Sequence, residues 1–311
     1  MTDSDRMAAA QGLVLRPPSE RSAIAPFIVM DVMRAAAAEE ASGKRVIHME
    51  VGQPGTPAPR AAREAVKRAL DTDNLGYTLA LGMEPLRERI ARLYQERHGV
   101  AVSPDRIVVT SGSSAAFVVG FLGLFDAGAK VGLPAPGYPC YRHILTALGA
   151  SPVVLETGPN TRWMPTAGQV EEAAVQQGLA GLLIASPANP TGTMLEPERL
   201  AEIVETCRRR GVWFISDEIY HGLTYGVPEA TALQFSDDVV VINSFSKYFS
   251  MTGWRVGWMV VPPSLVRTME RLAQNLYISP PAVAQVAALG AFDGIDELEG
   301  NRRVYMANRD L

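Results

Sequence analysis

The middle of the chain alternates short apolar runs with longer segments of helical periodicity. The apolar runs lack polar alternation, which is typical of strands that are covered on both faces of a mostly parallel sheet. Predicted strands cover 107–110, 130–133, 152–155, 182–185, 212–215 and 239–242. Predicted helices cover 114–125, 141–148, 167–177 and 197–210. This alternation predicts a doubly wound α/β core.

Two less regular regions flank the predicted core. Residues 1–60 contain two consecutive prolines and the turn-rich run 51–57, and we expect them to form an extended arm. After residue 263 the pattern becomes helical, over 264–276, 282–292 and from about residue 296 onwards. The last helical pattern has no glycine or proline stop before Leu311, so we expect the chain to end inside an element.

Composition excludes several classes of protein. The chain has 311 residues, of which 47% are hydrophobic, and this is enough for a large core. Its net charge of −4 does not favour a nucleic-acid partner. Its two cysteines cannot form a disulfide framework, which indicates a reducing compartment. Because we find neither a signal peptide nor an apolar run long enough for a bilayer, we expect a cytoplasmic protein without a membrane partner.

One lysine, Lys247, has unusual neighbours. It lies among hydroxyl and aromatic residues in the run 244–257, and Arg255 follows eight residues later. A partly desolvated ammonium near a second cation loses proton affinity, and the free amine becomes a nucleophile. The arginine also suits a phosphate group. A Schiff-base amine, phosphate-binding hydroxyls and a phosphate-binding cation together suggest pyridoxal phosphate (PLP).

Further candidate residues follow the predicted strands, at the sheet edge where open parallel sheets bind ligands. After the first strand, small residues at 111–114 open a helix. Their backbone N–H groups could approach a phosphate, although a plain helix cap is an alternative. After the second strand, Tyr138 could stack on a flat ring or simply pack in a proline-rich turn.

Two later strands are followed by an amide and a carboxylate. Asn189 lies between two prolines and could donate to a cofactor oxygen, although Asn-Pro also marks turns. Asp217 ends an apolar strand, where a carboxylate is costly unless it is paired. A pyridinium nitrogen is a suitable partner, while a helix cap is the alternative role. Tyr220 could reach the ring hydroxyl. The joint occurrence of these residues at one sheet edge favours a cofactor site.

With these motifs, the chain resembles the class I/II aminotransferases of PLP fold type I, the aspartate-aminotransferase-like family, from about residue 46 to 311. The motifs at 187–192, 216–220 and 244–257 occur in the family's order and spacing. The resemblance implies a three-layer, mostly parallel large domain with an incomplete small α+β domain. The expected boundaries are 1–60 for the arm and part of the small domain, 61–275 for the PLP-binding large domain, and 276–311 for the start of the C-terminal small domain.

The resemblance also implies individual roles. Lys247 would hold PLP as a Schiff base and then move a proton at the substrate. Asp217 would pair with the ring nitrogen, and Asn189 and Tyr220 with the ring oxygen, while Tyr138 would stack on the ring. The phosphate would be bound by Gly112, Ser113, Ser114, Ser244 and Arg255. Gly52 and Asn189 would contact the substrate.

The same resemblance implies a homodimer with shared active sites, because Tyr77 falls where family members reach the neighbouring subunit's phosphate. The family's carboxylate-binding arginine would lie beyond Leu311, and Arg302, Arg303 and Arg309 are outside its motif. The expected activity is amino transfer between an amino acid and a 2-oxo acid (EC 2.6.1.-). The alternatives are a C–S lyase, a cyclopropane-forming synthase, a decarboxylase, or a PLP-binding fragment or regulatory module with little activity.

Overall fold

The structure, a computed structural model, describes residues 17–311. Its strands are β1 (Ile107–Thr110), β2 (Lys130–Ala135), β3 (Ser151–Glu156), β4 (Leu179–Ala185), β5 (Trp213–Asp217), β6 (Val240–Ser244) and β7 (Gly257–Val260). They form one seven-stranded sheet in the order β1-β7-β6-β5-β4-β2-β3. Only β7 runs against its neighbours in this sheet, pairing antiparallel with β1 and β6. The predicted α/β fold with a mostly parallel sheet is confirmed.

The α-helices alternate with the strands in the middle of the chain and stand alone at its two ends. In chain order they are α1 (Ile28–Ala41), α2 (Arg60–Thr72), α3 (Glu84–His98), α4 (Ser113–Leu124), α5 (Cys140–Ala147), α6 (Ala167–Gln177), α7 (Pro197–Arg210), α8 (Val266–Tyr277), α9 (Ala282–Ala291) and α10 (Ile295–Arg309). Local signals set several boundaries. Thr166 and Gln169 form a capping box at the start of α6, and Gly211 ends α7 in the left-handed conformation.

Two apolar clusters cover the two faces of the sheet. Successive residues of β4 belong to different clusters, because side chains alternate across a strand: Leu182 and Ile184 lie in one and Leu183 in the other. The first cluster includes buried residues of α2, α3, α6, α7 and α9. The second includes buried residues of α4, α5 and α8. The result is the expected three-layer arrangement of helices, sheet and helices.

The predicted elements agree with the observed ones most closely in the middle of the chain. Helices 167–177 and 197–210 have the predicted bounds, and the six predicted strands all overlap observed ones. Within the expected N-terminal arm, residues 28–41 form α1, and the first 16 residues lie outside the described part. The buried alanines of α9 pack in the main core with α2. The division into large and small domains stays a prediction.

Within residues 17–311, we find no helix with both the length and the apolar character that a bilayer crossing requires.

A core truncation in β4 should destabilise the protein. Leu183 is fully buried, so Leu183→Ala is expected to lower the free energy of unfolding by about 2–5 kcal/mol through lost burial and a new cavity. The control is Val175→Ala on α6, where the side chain is 62% exposed and the change should stay within about 0.5 kcal/mol. Urea denaturation measures both values. Equal midpoints for the two variants would contradict the burial assigned to β4.

Candidate active site

The carboxyl ends of β4, β5 and β6 lie side by side and carry the candidate residues. Ala185 pairs with Asp217, and Asp217 pairs with Ile242, so these three strands end at one level. The loops that follow bring Asn189 and Lys247 to the same cavity as Asp217. The volume of this cavity is about 220 Å³. The described residues that line it are Ser113, Ser114, Phe117, Tyr138, Cys140, Tyr141, Ile144, Asn189, Asp217, Ile219, Tyr220, Ser246, Lys247, Thr252 and Arg255.

Asp217 is the buried acid of the cavity, with 3% of its surface exposed. Its carboxyl group accepts hydrogen bonds from the Tyr141 hydroxyl and, over 3.1 Å, from the backbone N–H of Ile219. Burial raises the pKa of Asp217 to about 6, although both hydrogen bonds and the charge of Lys247 act in the opposite direction. An added cation near this carboxyl group would therefore be strongly favoured.

Lys247 lies half-buried across the cavity. Its Nζ donates to the carbonyl oxygen of Gly52 and lies 5.7 Å from the ring centre of Tyr220. Burial lowers the pKa of Lys247, and the positive charge of Arg255 adds to this effect, while Asp217 opposes it. A lysine with a lowered pKa has a larger share of free amine at neutral pH, which is the form that attacks a carbonyl carbon.

The third part of the cavity is a cradle for an anion. Gly112 precedes α4, so the backbone N–H groups at the helix start and the hydroxyls of Ser113 and Ser114 lie at its positive end. Arg255 lies beside them and donates to the carbonyl oxygen of Thr252 over 2.9 Å. A Cβ atom at Gly112 would lie only 2.9 Å from Cζ of Arg255, and the glycine has a φ of +80°. The positive φ favours glycine at this position, and an added Cβ would displace the guanidinium from the cradle.

Asn189 and Tyr220 both line the cavity. Burial raises the pKa of Tyr220, the negative charge of Asp217 adds to the rise, and the Asn189 amide partly offsets it. Tyr138 packs edge-on against Phe27 and Tyr141, with ring centres 5.7 Å and 5.3 Å away. An amide, a phenol and an aromatic ring thus surround the space between Asp217 and Lys247.

The predicted site residues Ser244, Tyr77 and Gly52 are not among the residues that line the cavity. Ser244 does not line the cavity, because its hydroxyl is hydrogen-bonded to Ser246 Oγ and to the Val256 carbonyl oxygen. Tyr77 is 85% exposed and is not among the lining residues. Gly52 meets the site through its carbonyl oxygen rather than its N–H group.

The cavity also includes residues that sequence reasoning missed. Tyr141 is the most informative, because it is the direct partner of Asp217. Its position three residues after Tyr138, at a helix start, was the available signal. Ser246 directly precedes Lys247, and Thr252 lies between Lys247 and Arg255 in sequence. Both line the cavity, and neither was predicted as a site residue.

The donor set fits PLP. The cradle offers N–H groups, hydroxyls and a guanidinium to a phosphate, and the buried Asp217 offers a carboxylate to a ring nitrogen. The half-buried amine of Lys247 is available for a carbonyl group.

Comparison with known proteins gives the family. The family model described as "Aminotransferase class I and II" matches residues 44–311. The chain belongs to this family. The valine–pyruvate aminotransferase of Mycobacterium tuberculosis is 47% identical over 295 residues, which cover 94% of this chain and 76% of the relative. The (5-formylfuran-3-yl)methyl phosphate transaminase of Methanocaldococcus jannaschii is 34% identical, with coverages of 91% and 74%.

Solved structures of aminotransferases have the same fold. An aminotransferase from M. tuberculosis superposes with a TM-score of 0.92 at 46% identity, covering 95% of this chain and 77% of that one. The aspartate aminotransferase of Thermus thermophilus, crystallised with maleate, gives 0.90 at 27% identity, with coverages of 95% and 79%. The predicted fold type I and the predicted transferase class, EC 2.6.1, are confirmed. Enzymes of the class I and II aminotransferase family are generally PLP-dependent.

Closing the cradle should weaken cofactor binding by this aminotransferase. Gly112→Ala places a methyl group against the Arg255 guanidinium, so we expect PLP affinity to fall at least about 10-fold, or about 1.4 kcal/mol. The control is Gly128→Ala, which has a similar φ of +83° but nothing within 4 Å of the added Cβ. Fluorescence titration with PLP measures both variants. Equal affinities for the two variants would contradict the assignment of the cradle.

The titration of Asp217 should appear in the stability of the cofactor-free protein. Its pKa is about 6 in the folded state, above the ordinary value of 3.8, so the folded state binds more protons between pH 4 and 6. Stability supplied by this group is present at low pH and is lost as the pH rises through 6. Relative to Asp217→Asn, the free energy of unfolding of the wild type should fall by about 2–3 kcal/mol as the pH rises through this range.

Urea denaturation at intervals between pH 4 and 7 gives the difference between wild type and Asp217→Asn. The control is Asp71→Asn, which makes the same substitution at an exposed carboxylate. If the difference in unfolding free energy between wild type and Asp217→Asn does not change with pH, the pKa of Asp217 is not raised by burial.

Proposed function

We propose that this chain is a PLP-dependent aminotransferase that moves an amino group between an amino acid and a 2-oxo acid, with Lys247 as the residue that holds the cofactor. The supporting observation is that Asn189, Asp217, Tyr220 and Lys247 line one cavity with an anion cradle at its side. Each residue has an ordinary structural explanation when taken alone. Together, in a member of an aminotransferase family, they match the needs of one cofactor.

PLP, when bound, supplies an electron-withdrawing ring that stabilises negative charge at the substrate Cα. The Asp217 carboxylate would keep a proton on the ring nitrogen, which relieves the cost of burying this acid. Asn189 and Tyr220 would donate hydrogen bonds to the ring oxygen. Ser113, Ser114 and Arg255 would bind the phosphate.

Lys247 would have two roles. Its amine would hold the cofactor covalently. As a free amine, with a pKa lowered by burial, it would also accept the proton from the substrate Cα. The contact of Nζ with the Gly52 carbonyl oxygen is available to orient this amine while it is free.

We further propose that the amino donor has a neutral aliphatic side chain, with valine as donor and pyruvate as acceptor. The relative that is 47% identical is named for this pair.

A homodimer in the cytoplasm is the proposed setting. Tyr77 and Leu79 are 85% and 68% exposed, although both are large apolar residues. Exposed apolar residues close together indicate an interaction surface. A second copy of the chain would cover them, and Tyr77 could then reach the partner's cradle.

Loss of the Lys247 amine should remove the proposed activity. Lys247→Ala is expected to lower the rate of amino transfer from valine to pyruvate by at least about 10²–10⁴-fold, because both covalent binding and proton transfer depend on this amine. The control is Lys67→Ala, which removes an exposed lysine on α2. Chromatographic measurement of alanine and of the 2-oxo acid formed from valine gives both rates.

Different outcomes separate the reaction from the substrate. Transfer from another amino acid but not from valine would leave the aminotransferase proposal intact and overturn the substrate proposal. Release of pyruvate and ammonia from a cysteine conjugate, without amino transfer, would favour a C–S lyase. Unchanged amino transfer by Lys247→Ala would overturn the role of this lysine.

A further inference from the structure

Three side chains of types that can bind a metal ion lie close together outside the set of residues that line the cavity. His98 is the last residue of α3, His221 follows Tyr220 in the loop after β5, and Glu229 lies later in the same loop. One potential ligand atom from each of them lies within 4.8 Å of the other two. The cluster joins segments more than 100 residues apart in sequence, since residue 98 and residue 221 contribute to it.

One ring nitrogen of His221 has a hydrogen-bond partner, and the other has none. Its Nε2 lies 3.2 Å from the Ser186 carbonyl oxygen, which can only accept, so Nε2 carries the hydrogen. Nδ1 therefore presents a lone pair, and it is buried without a hydrogen-bond partner. A histidine that binds a metal typically donates its other N–H to a carbonyl or carboxylate in this way. The residue is only 4% exposed, so an unpartnered nitrogen requires an explanation.

Glu229 and His98 complete the arrangement. Oε2 of Glu229 accepts from the Gly222 N–H over 2.7 Å and from the Thr224 hydroxyl over 3.3 Å, which orients the carboxylate. The His98 ring lies 5.3 Å from the ring of His221, and it is only half-buried. The position of His98 leaves a path from solvent to the cluster.

We propose that His98, His221 and Glu229 bind a divalent zinc-type metal ion, with water as the fourth ligand. Two neutral imidazoles and one carboxylate form a common ligand set for zinc. Zinc bonds of about 2.0–2.2 Å bring ligand atoms to roughly 3.5 Å of one another, so atoms that now lie within 4.8 Å have to approach by at most about 1.3 Å. The half-exposed His98 at a helix end can make this movement.

Such a site would tie the end of α3 to the loop that follows Asp217 and Tyr220. Metal binding would then stabilise the segment from which two cavity residues come. The site is separate from the cavity, because none of its three ligands lines it. The proposal is therefore independent of the proposed reaction.

Two neighbours work against a metal. Oε2 of Glu218 is also buried without a partner and lies 3.5 Å from Nδ1 of His221, so a proton shared by these two groups could satisfy both. The guanidinium of Arg97, which stacks on Tyr248 at 4.3 Å, brings positive charge close to the histidines. The experiment must therefore separate a metal from a Glu218–His221 hydrogen bond.

The test is zinc binding by the full chain, purified with PLP, freed of excess cofactor and of any histidine tag, and treated with a chelator before dialysis. We expect calorimetric titration with Zn²⁺ to give one site per chain. His98→Gln and Glu229→Gln should each lower the affinity at least about 100-fold, the upper end of the loss seen for outer-shell partners alone. His48→Gln, at an exposed histidine outside the cluster, should bind like the wild type.

Circular dichroism checks that each variant is folded, and Co²⁺ in place of Zn²⁺ adds the visible absorption of a tetrahedral site. Wild-type protein that binds no stoichiometric Zn²⁺ would overturn the proposal and leave the Glu218–His221 hydrogen bond as the explanation of the two unpartnered atoms. Wild-type affinity in folded His98→Gln and Glu229→Gln would overturn it as well.

Discussion

The burial of the Asp217 carboxyl group is the constraint on which the site depends. The group lies at the end of a central strand, where the helices on both faces of the sheet exclude water. Two hydrogen bonds and a distant lysine are not enough to keep its pKa at the ordinary value. The lining residues fit a ligand that carries both a cationic ring and an anionic group: Asp217 suits the cation, the cradle suits the anion, and an amide, a phenol and an amine lie around the space between them. A protonated pyridine ring that carries a phosphate meets all of these needs together.

Much of this arrangement could be predicted from the sequence because buried parallel strands have a characteristic sequence pattern. Strands covered on both faces are continuous apolar runs, so their ends, and the polar residues just beyond them, can be located. β7 was missed because Gly257–Val260 directly follows the phosphate-binding run and pairs antiparallel, which no local signal marks. α2 and α3 were passed over because they are rich in charged residues and bury few positions. Tyr141 and Ser246 required three-dimensional contacts, since their sequence neighbours were equally plausible candidates.

The end of β5 and the loop after it contribute residues both to the cavity and to the buried cluster around Glu218 and His221. Asp217, the last residue of β5, and Tyr220 in the loop line the cavity, while Glu218 and His221 are buried among other partners. Burial raises the pKa of Glu218 and lowers that of His221, so it favours the uncharged form of each side chain. Oε1 of Glu218 accepts from Ser216, Thr231 and the Ala232 N–H. These contacts hold the backbone next to Asp217, which links the stability of the loop to the geometry of the cavity.

The position of β7 has a consequence for how the protein is made. β1 joins the sheet only through β7, and Gly257 pairs with both Thr110 and Ser244. The anion cradle combines the helix start after β1 with Arg255, just before β7. During synthesis, β1 has no neighbour of its final sheet until residue 260 has emerged from the ribosome. The two parts of the anion cradle therefore come together only after β7 has paired with both β1 and β6.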